Sequence, residues 1–285
     1  MFLAIDVGNT NTNFTIFRAE NSLGLQLHSV ESYGCSPDEN MDQSIIGTFK
    51  LQTDYKRECD EYMALLSTLF DNAKIDLRKI DAVGVSCVVA PVLDKIITFI
   101  SKYLKKEPFI ISAHNQKILD LSRLCHPETL GADLISAAIA SVMLYNSQCI
   151  VIDCGTATTI SLIFKTDGIW RYDGTVITLG LSATGKAIKH FIPALSNINV
   201  DLNRPALYGR DTRGAIAAGL YHGHIGMIKH ITTTLQNVCF QDIKQKCLTI
   251  ITGGAAKMLL HEIDFVDIYN PHLVEIGVKF GYEMR

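Results

Sequence analysis

A strand, turn and strand unit occurs twice in this chain, and the repetition limits the possible folds more than any other feature. The first copy is an apolar run from Phe2 to Asp6, then Val7, Gly8, Asn9, Thr10, Asn11, Thr12 and Asn13, then a second run to Phe17. The second is Cys149 to Asp153, then Cys154, Gly155, Thr156, Ala157, Thr158 and Thr159, then a run to Phe164. Each places a carboxylate before a glycine turn that carries small hydroxyl or amide side chains. Such a turn leaves backbone N–H groups free, and its glycine lets phosphate oxygens come close. The neighbouring Asp suits a cation, held directly or through its water shell. One Asp-x-Gly is ordinary turn chemistry; two point to related half-molecules facing one polyphosphate.

A chain of 285 residues exceeds the usual single domain. With 48% hydrophobic and 19% charged residues it can bury a large core, which excludes disorder. A net charge of −3 supplies no basic footprint for nucleic acid, so the expected partner is a small-molecule substrate. The eight cysteines form no C-x-x-C pair and several fall in apolar strands, as reduced, buried thiols do. The N-terminus enters a strand at once, without a basic leader. The longest apolar helical stretch, Ala132 to Tyr145, is too short to span a bilayer. A cytoplasmic protein with no membrane attachment is expected.

Hydrophobic periodicity places strands at 2–7, 12–18, 25–33 and 47–52, then a helix near 56–72 with Tyr62, Leu65, Leu66 and Leu69 on one face. A strand at 82–88, a helix at 92–104 and a strand at 109–112 follow, and the polar stretch Tyr33 to Asp42 reads as a surface loop. A low-apolar junction near 113–123 divides the chain into domains 1–118 and 119–285. The second begins with a helix at 131–145 striped by Ile135, Ala138, Ile139 and Val142. Strands at 149–154, 158–165 and 169–178 come next, then helices near 182–192 and 212–238. A strand at 248–252 runs into Gly253, Gly254 and another helix. This alternation predicts an α/β protein of two similar halves with a cleft between them.

The ordered set of Asp6 to Asn13, Gly131-Ala132-Asp133, Asp153 to Thr159, Gly209 to Thr212, and Thr252-Gly253-Gly254 resembles the type III pantothenate kinases. These belong with the acetate and sugar kinases and actin. The resemblance implies two actin-like (ribonuclease H-like) domains around a nucleotide cleft, and ATP-dependent phosphorylation of pantothenate to 4′-phosphopantothenate, the first step of coenzyme A biosynthesis. It also implies ATP with Mg2+, a monovalent cation (K+ or NH4+), and a homodimer. By the same resemblance Asp6, Val7, Gly8, Asn9, Thr10, Asn11, Thr12 and Asn13 form the phosphate loop, with Thr156, Gly253 and Gly254 also on the nucleotide. Asp133 matches the catalytic base, Asp153 a ligand of the monovalent cation, and Asp6 lies by the magnesium-bound phosphates. Gly131, Ala132, Asp133, Leu134 and Thr212 match the acceptor site, Thr212 near the dimer interface.

Physical chemistry supports these roles. Phosphoryl transfer has a loose transition state, so the protein chiefly aligns the acceptor and neutralises charge. An Asp133 at a helix start is held ionised by the helix dipole and can accept the hydroxyl proton. Plainer readings stand beside them: Asp133 as a first-turn acid, Thr212 as an N-cap, Gly253-Gly254 as a strand-to-helix turn. His222 and His224, two apart on a helix, face different sides and read as structural. Trp170 reads as strand packing.

Some positions depart from the family pattern. Leu134 stands where the family places a substrate-binding arginine, Leu124 where it places a tyrosine, Leu179 for the proline before Gly180, and Ser161 for an aspartate. Losing a charge-assisted contact costs about 1.5–3 kcal/mol. Arg210, Arg213 and Lys186 are candidate replacements. Two alternatives therefore stand beside pantothenate phosphorylation: a kinase for another small hydroxyl acceptor, and a nucleotide-binding regulator without catalysis.

Overall fold

The sequence duplication reappears as a duplicated sheet in the computed structural model, which describes residues 1–18, 44–240 and 247–285. In the first half β1 (Phe2–Val7), β2 (Asn11–Phe17) and β3 (Ile45–Gln52) form an antiparallel meander. The strands β4 (Ala82–Cys87) and β5 (Phe109–Ile110) then add in parallel on the other side of β1, giving the order β3-β2-β1-β4-β5. After the short β6 (Leu119–Asp120), the second half repeats the plan. There β7 (Cys149–Cys154), β8 (Ala157–Thr166) and β9 (Ile169–Leu179) form the meander, and β10 (Leu248–Thr252) and β11 (Ile268–Tyr269) extend it in parallel. Its order is β11-β10-β7-β8-β9, with β6 on the β9 edge. The chain is an α/β protein of two actin-like halves.

Helices fill three layers around these sheets. The outer face of the first sheet packs on α1 (Cys59–Asn72) and α2 (Ala90–Phe99). Between the sheets lie α3 (Ala132–Tyr145) and, from the far end of the chain, α7 (Leu273–Glu283). On the outer face of the second sheet, after α4 (Leu181–Phe191), pack α5 (Thr212–Cys239) and α6 (Ala256–Leu259). Side chains of a strand alternate between its faces. Thus Leu3, Ile5 and Val7 face α1 and α2, while Phe2 and Ala4 face the central layer. In β7 Ile150, Ile152 and Cys154 face outward, and Cys149 and Val151 face the centre. Asp6 and Asp153 continue the two inward series.

The central position of α3 explains why it is buried almost all round. The expected stripe of Ile135, Ala138, Ile139 and Val142 is buried, but so are Leu134, Ser136, Ala137, Ala140 and Ser141. A helix between two sheets has no solvent face to keep polar. Its serine hydroxyls donate to their own helix, Ser136 to the Ala132 carbonyl at 2.7 Å and Ser141 to the Ala137 carbonyl at 2.8 Å. The close fit of α7 depends on glycine: a Cβ on Gly277 would collide with the Ser136 backbone, and one on Gly281 with the Ile111 side chain.

Other elements differ from the sequence reading. In α1 the buried stripe is Tyr62, Leu66 and Phe70, spaced by four, whereas Leu65 is 41% exposed. The strands β6 and β11 are only two residues long and leave no periodic trace. Helix α7 was not anticipated. The strand expected at 25–33 and the loop at 33–42 lie outside the described residues. The described cysteines are free thiols, and among the described residues no helix is long and apolar enough to cross a membrane.

Alanine in place of glycine inside a helix normally adds up to about 1 kcal/mol of stability. Gly277→Ala is instead expected to lose about 1–3 kcal/mol through overpacking against α3, measured by urea unfolding. A variant as stable as the parent would contradict this packing.

Candidate active site

The site begins at the ends of β1 and β7. Asp6 sits in register with Asn13 on β2 and Ser86 on β4. Ser86 Oγ donates to Asp6 Oδ1 at 3.1 Å, and the Asn13 amide lies 3.5 Å from Asp6 Oδ2. Asp153 sits in register with Thr159 on β8 and Thr252 on β10. Gly253, which follows, has φ +93°, and a Cβ there would run into Asp153 Oδ1 and the Cys154 backbone. Glycine therefore gives the Asp153 carboxyl its room. Gly254 is exposed and faces open space.

Each turn is held from below. The Gly8 N–H donates to the Asn11 carbonyl at 3.0 Å, and the Gly155 N–H to the Ala157 carbonyl at 3.0 Å. Thr53, on the chain after β3, ties the first turn. Its Oγ1 donates to the Gly8 carbonyl at 2.7 Å, its N–H donates to the Thr10 carbonyl at 2.9 Å, and its hydroxyl lies 3.0 Å from Thr12 Oγ1. The Gly180 N–H ties the second turn through the Thr156 carbonyl at 3.0 Å. The tips meet, with Thr10 Oγ1 2.8 Å from Thr156 Oγ1. Asn9, Thr10, Asn11 and Thr156 are exposed at this junction. Val7 and Thr12 are wholly buried. Strand alternation turns them away from the cleft, so their side chains support the first turn from behind.

Two helix starts complete the acidic cluster. Asp133 is in the first turn of α3, behind Gly131 at the N-cap, and its Oδ1 accepts from the Leu134 N–H at 2.8 Å. Glu275 is in the first turn of α7 and only 4% exposed. Burial raises the Asp6 carboxyl well above its ordinary range, and Glu275, Asp133 and Asp153 each add to it by like charge. Burial, then Asp133 and Glu275, raise Asp153 to about 7. Burial raises Glu275 to about 7 against the opposing pull of its own backbone, Lys50 and Asn13. Asp133 also rises through burial, which outweighs its backbone hydrogen bonds. Its place at a helix start does not hold it in the ordinary carboxylate range, as the dipole alone would predict.

The residues expected at the acceptor site differ more from expectation. Leu134 is 8% exposed and, with Ala132, belongs to the apolar cluster between the sheets; Leu124 packs against that cluster. Ser161 Oγ lies 2.7 Å from Tyr172 OH and donates to Thr175 Oγ1 at 3.2 Å. Asp133 raises the Tyr172 hydroxyl after burial has done so. The N-cap of α5 is Asp211, whose Oδ1 accepts from the Gly214 N–H at 2.7 Å, so Thr212 is the first helical residue rather than the cap. Thr212 lines a groove of about 650 Å³ between α4 and α5, with Thr178, Leu179 and Thr184. Because α5 covers the outer face of the second sheet, one chain does not bring Thr212 to Asp133. Arg210 and Arg213 line a neighbouring groove of about 590 Å³. His224 Nε2 lies 3.1 Å from Thr158 Oγ1 and His222 Nε2 lies 3.3 Å from the Pro205 carbonyl, so the two histidines have separate partners.

Sequence reading missed Thr53 and Glu275. Thr53 carries no motif of its own, and Glu275 lies in the unanticipated helix. Among the described residues no three His, Cys, Asp or Glu side chains are placed to cage a metal ion. Magnesium that keeps its waters and phosphate ligands needs only one or two carboxylates. Asp6 and Asp153 fit that need, and beside them Asn13 Oδ1 and Thr159 Oγ1 are buried without a hydrogen-bond partner.

The paired actin-like sheets, with an acid ending each central strand and the two turns touching, belong to a phosphotransferase, as family membership shows. Residues 2–234 match the family model described as type III pantothenate kinase, and the chain belongs to that family. It is 28% identical to a type III pantothenate kinase of Roseiflexus sp. (strain RS-1), covering 100% of this chain and 99% of that one. It is 27% identical to that of Bacillus cytotoxicus, over 99% of this chain and 96% of the other. Two solved structures share the fold. One is a Campylobacter jejuni protein described as a Baf family transcriptional activator, with TM-score 0.52 and 18% identity over 99% of this chain and 97% of that one. The other is a Sinorhizobium meliloti protein described as a 2-dehydro-3-deoxygalactonokinase, with TM-score 0.53 and 11% identity over 99% and 96%.

The raised carboxyls predict a pH dependence. A carboxyl whose value is raised on folding contributes stability that is full below its unfolded value and is lost as pH rises through the folded one. For Asp153 and Glu275 that window runs from about 4 to about 7. The lowered, surface Asp60, Asp76 and Asp264 act only at the acid end, where protonation removes their contribution. The ligand-free protein should thus melt at progressively lower temperature from pH 5 to pH 8, and Asp153→Asn should flatten the slope. A profile that rises over this range, or one that Asp153→Asn leaves unchanged, would contradict the cluster.

Proposed function

We propose that the protein transfers the γ-phosphoryl group of ATP to pantothenate, giving 4′-phosphopantothenate, and that transfer occurs under the joined turns. Family membership makes it a phosphotransferase that uses ATP and a divalent metal on a small-molecule substrate. The observation that carries the location is the convergence of Asp6, Asp153 and Asp133 beneath the contact between Thr10 and Thr156.

In this reading the exposed side chains of Asn9, Thr10, Asn11 and Thr156 bind phosphate oxygens, and Gly253 and Gly254 line the nucleoside side. Asp6 orients the magnesium-bound phosphates, whose metal supplies charge neutralisation when bound. Asp153 serves the monovalent cation, K+ or NH4+. Asp133 accepts the proton of the attacking hydroxyl, and its raised affinity for protons makes it a stronger base than an exposed aspartate. Gly131 leaves the acceptor room at the start of α3: a Cβ there would meet the Asp133 carboxylate. Leu134 contributes apolar packing in place of the family's arginine.

A homodimer completes this reading. Phe191 and Leu207 are each 77% exposed and Tyr208 66%, apolar surface of the kind that marks an interface. A second copy would supply Thr212 to the acceptor site. We also propose domain limits of 1–118 and 119–285 and a cytoplasmic location.

An ADP-release assay with pantothenate and a panel of other small alcohols tests the function. Activity confined to pantothenate is expected, and turnover of another alcohol in its place would overturn the acceptor. Asp133→Asn should lower kcat by about 10²–10⁴-fold, the range of a lost general base, with nucleotide affinity unchanged. Retained turnover would remove Asp133 from the chemistry.

A further inference from the structure

The kinase reading gives work to the exposed Asn9, Thr10 and Asn11 and none to the two buried threonines beneath them. Thr12 is wholly buried, and Thr53, the first residue after β3, is 7% exposed. A hydroxyl has one proton to give. Thr53 Oγ1 gives its proton to the Gly8 carbonyl at 2.7 Å, so in the 3.0 Å contact between the two hydroxyls Thr12 is the donor. The result is a one-way chain from Thr12 Oγ1 to Thr53 Oγ1 to the Gly8 carbonyl.

That chain helps to fix two peptide groups. In a planar trans peptide the C=O of one residue and the N–H of the next point opposite ways. Thr53 draws the Gly8 carbonyl with its hydroxyl and the Thr10 carbonyl with its N–H, the latter at 2.9 Å. The N–H groups of Asn9 and Asn11 are thereby turned away from Thr53, toward the exposed side of the turn. Backbone N–H groups aimed together in a turn make a concavity that takes an anion.

The second turn lacks this device. Gly180 stands where Thr53 does, first after the third strand of its meander, and its N–H likewise donates to a turn carbonyl, that of Thr156, at 3.0 Å. A Cβ there would collide with the Gly155 and Thr156 carbonyls, so no side-chain hydroxyl fits at that place. From equivalent positions, a hydroxyl and an N–H tie the first turn, and an N–H alone ties the second.

We propose that Thr53, backed by Thr12, is a positioning residue that presets the Asn9 and Asn11 N–H groups for the phosphates of the nucleotide. The inference rests on the kinase reading of the first turn. It deepens that reading by naming the part of the ligand that Thr53 serves, the polyphosphate and not the nucleoside.

The test is titration of the full chain, without acceptor, with magnesium and a non-hydrolysable ATP analogue by calorimetry, and with adenosine by ligand-observed NMR. Thr53→Val keeps the shape and the backbone N–H but has no proton for Gly8. It should bind the analogue about tenfold more weakly and adenosine as the parent does. Thr53→Ser, which retains the hydroxyl, should stay within about threefold of the parent for the analogue. Adding Thr12→Val to Thr53→Val should cost nothing more, as expected for groups acting in series. Parental affinity of Thr53→Val for the analogue would overturn the proposal. So would an equal loss for adenosine, which marks a general distortion, a Ser variant as weak as the Val variant, or a further loss in the double variant. A parent chain that binds no analogue would refute the kinase reading of the turn, and this inference with it.

Discussion

The chemistry of this protein depends on strand phase. Side chains alternate along a strand, so Asp6 must share a face with Phe2 and Ala4, and Asp153 with Cys149 and Val151. Both of those faces look into the same layer. A slip of one residue in either strand would send its acid to the outer helices, and the cluster would be lost. The paired sheets act as two frames that hold matching acids toward each other. The turns above them then meet through two hydroxyls at 2.8 Å.

What fills that layer is equally constrained. An apolar helix buried all round, α3, presents Asp133 at its first turn, and α7 returns from the chain end to lie against it on glycine contacts. The layer buries acids as well as hydrocarbon, and their mutual repulsion raises their affinity for protons. A site of this kind is destabilised while empty of positive charge and stabilised by cations. That fits a protein whose ligand arrives with a divalent metal.

Much of this was legible in the sequence. The repeated Asp-x-Gly turns located both meanders, because a turn motif and its flanking apolar strands are local signals. The strands β1, β7 and β10 end where periodicity places them. Tertiary relations were harder to read. Leu65 follows the helical pattern but is exposed, since only the neighbouring sheet decides which stripe of α1 is buried. Val7 and Thr12 belong to the turn motif, yet their phase turns them outward. Glu275 was hidden because periodicity does not show that α7 lies between the sheets, where Glu275 and Lys279 are buried with its apolar residues. Thr212 is a reminder that a motif residue can lie across a sheet from its fellows. Leu134 is a core residue and Leu124 packs against the same cluster, so both sit in apolar surroundings.

The most direct measurement is a crystal structure with magnesium and a non-hydrolysable ATP analogue. The account predicts a triphosphate seated between the Asn9–Thr10 turn and the Gly155–Thr156 turn, with Asp6 and Asp153 on opposite sides of it and the contact between the threonine hydroxyls replaced by phosphate. A nucleotide seated elsewhere, for instance in the groove between α4 and α5 with the two turns still joined, would contradict it.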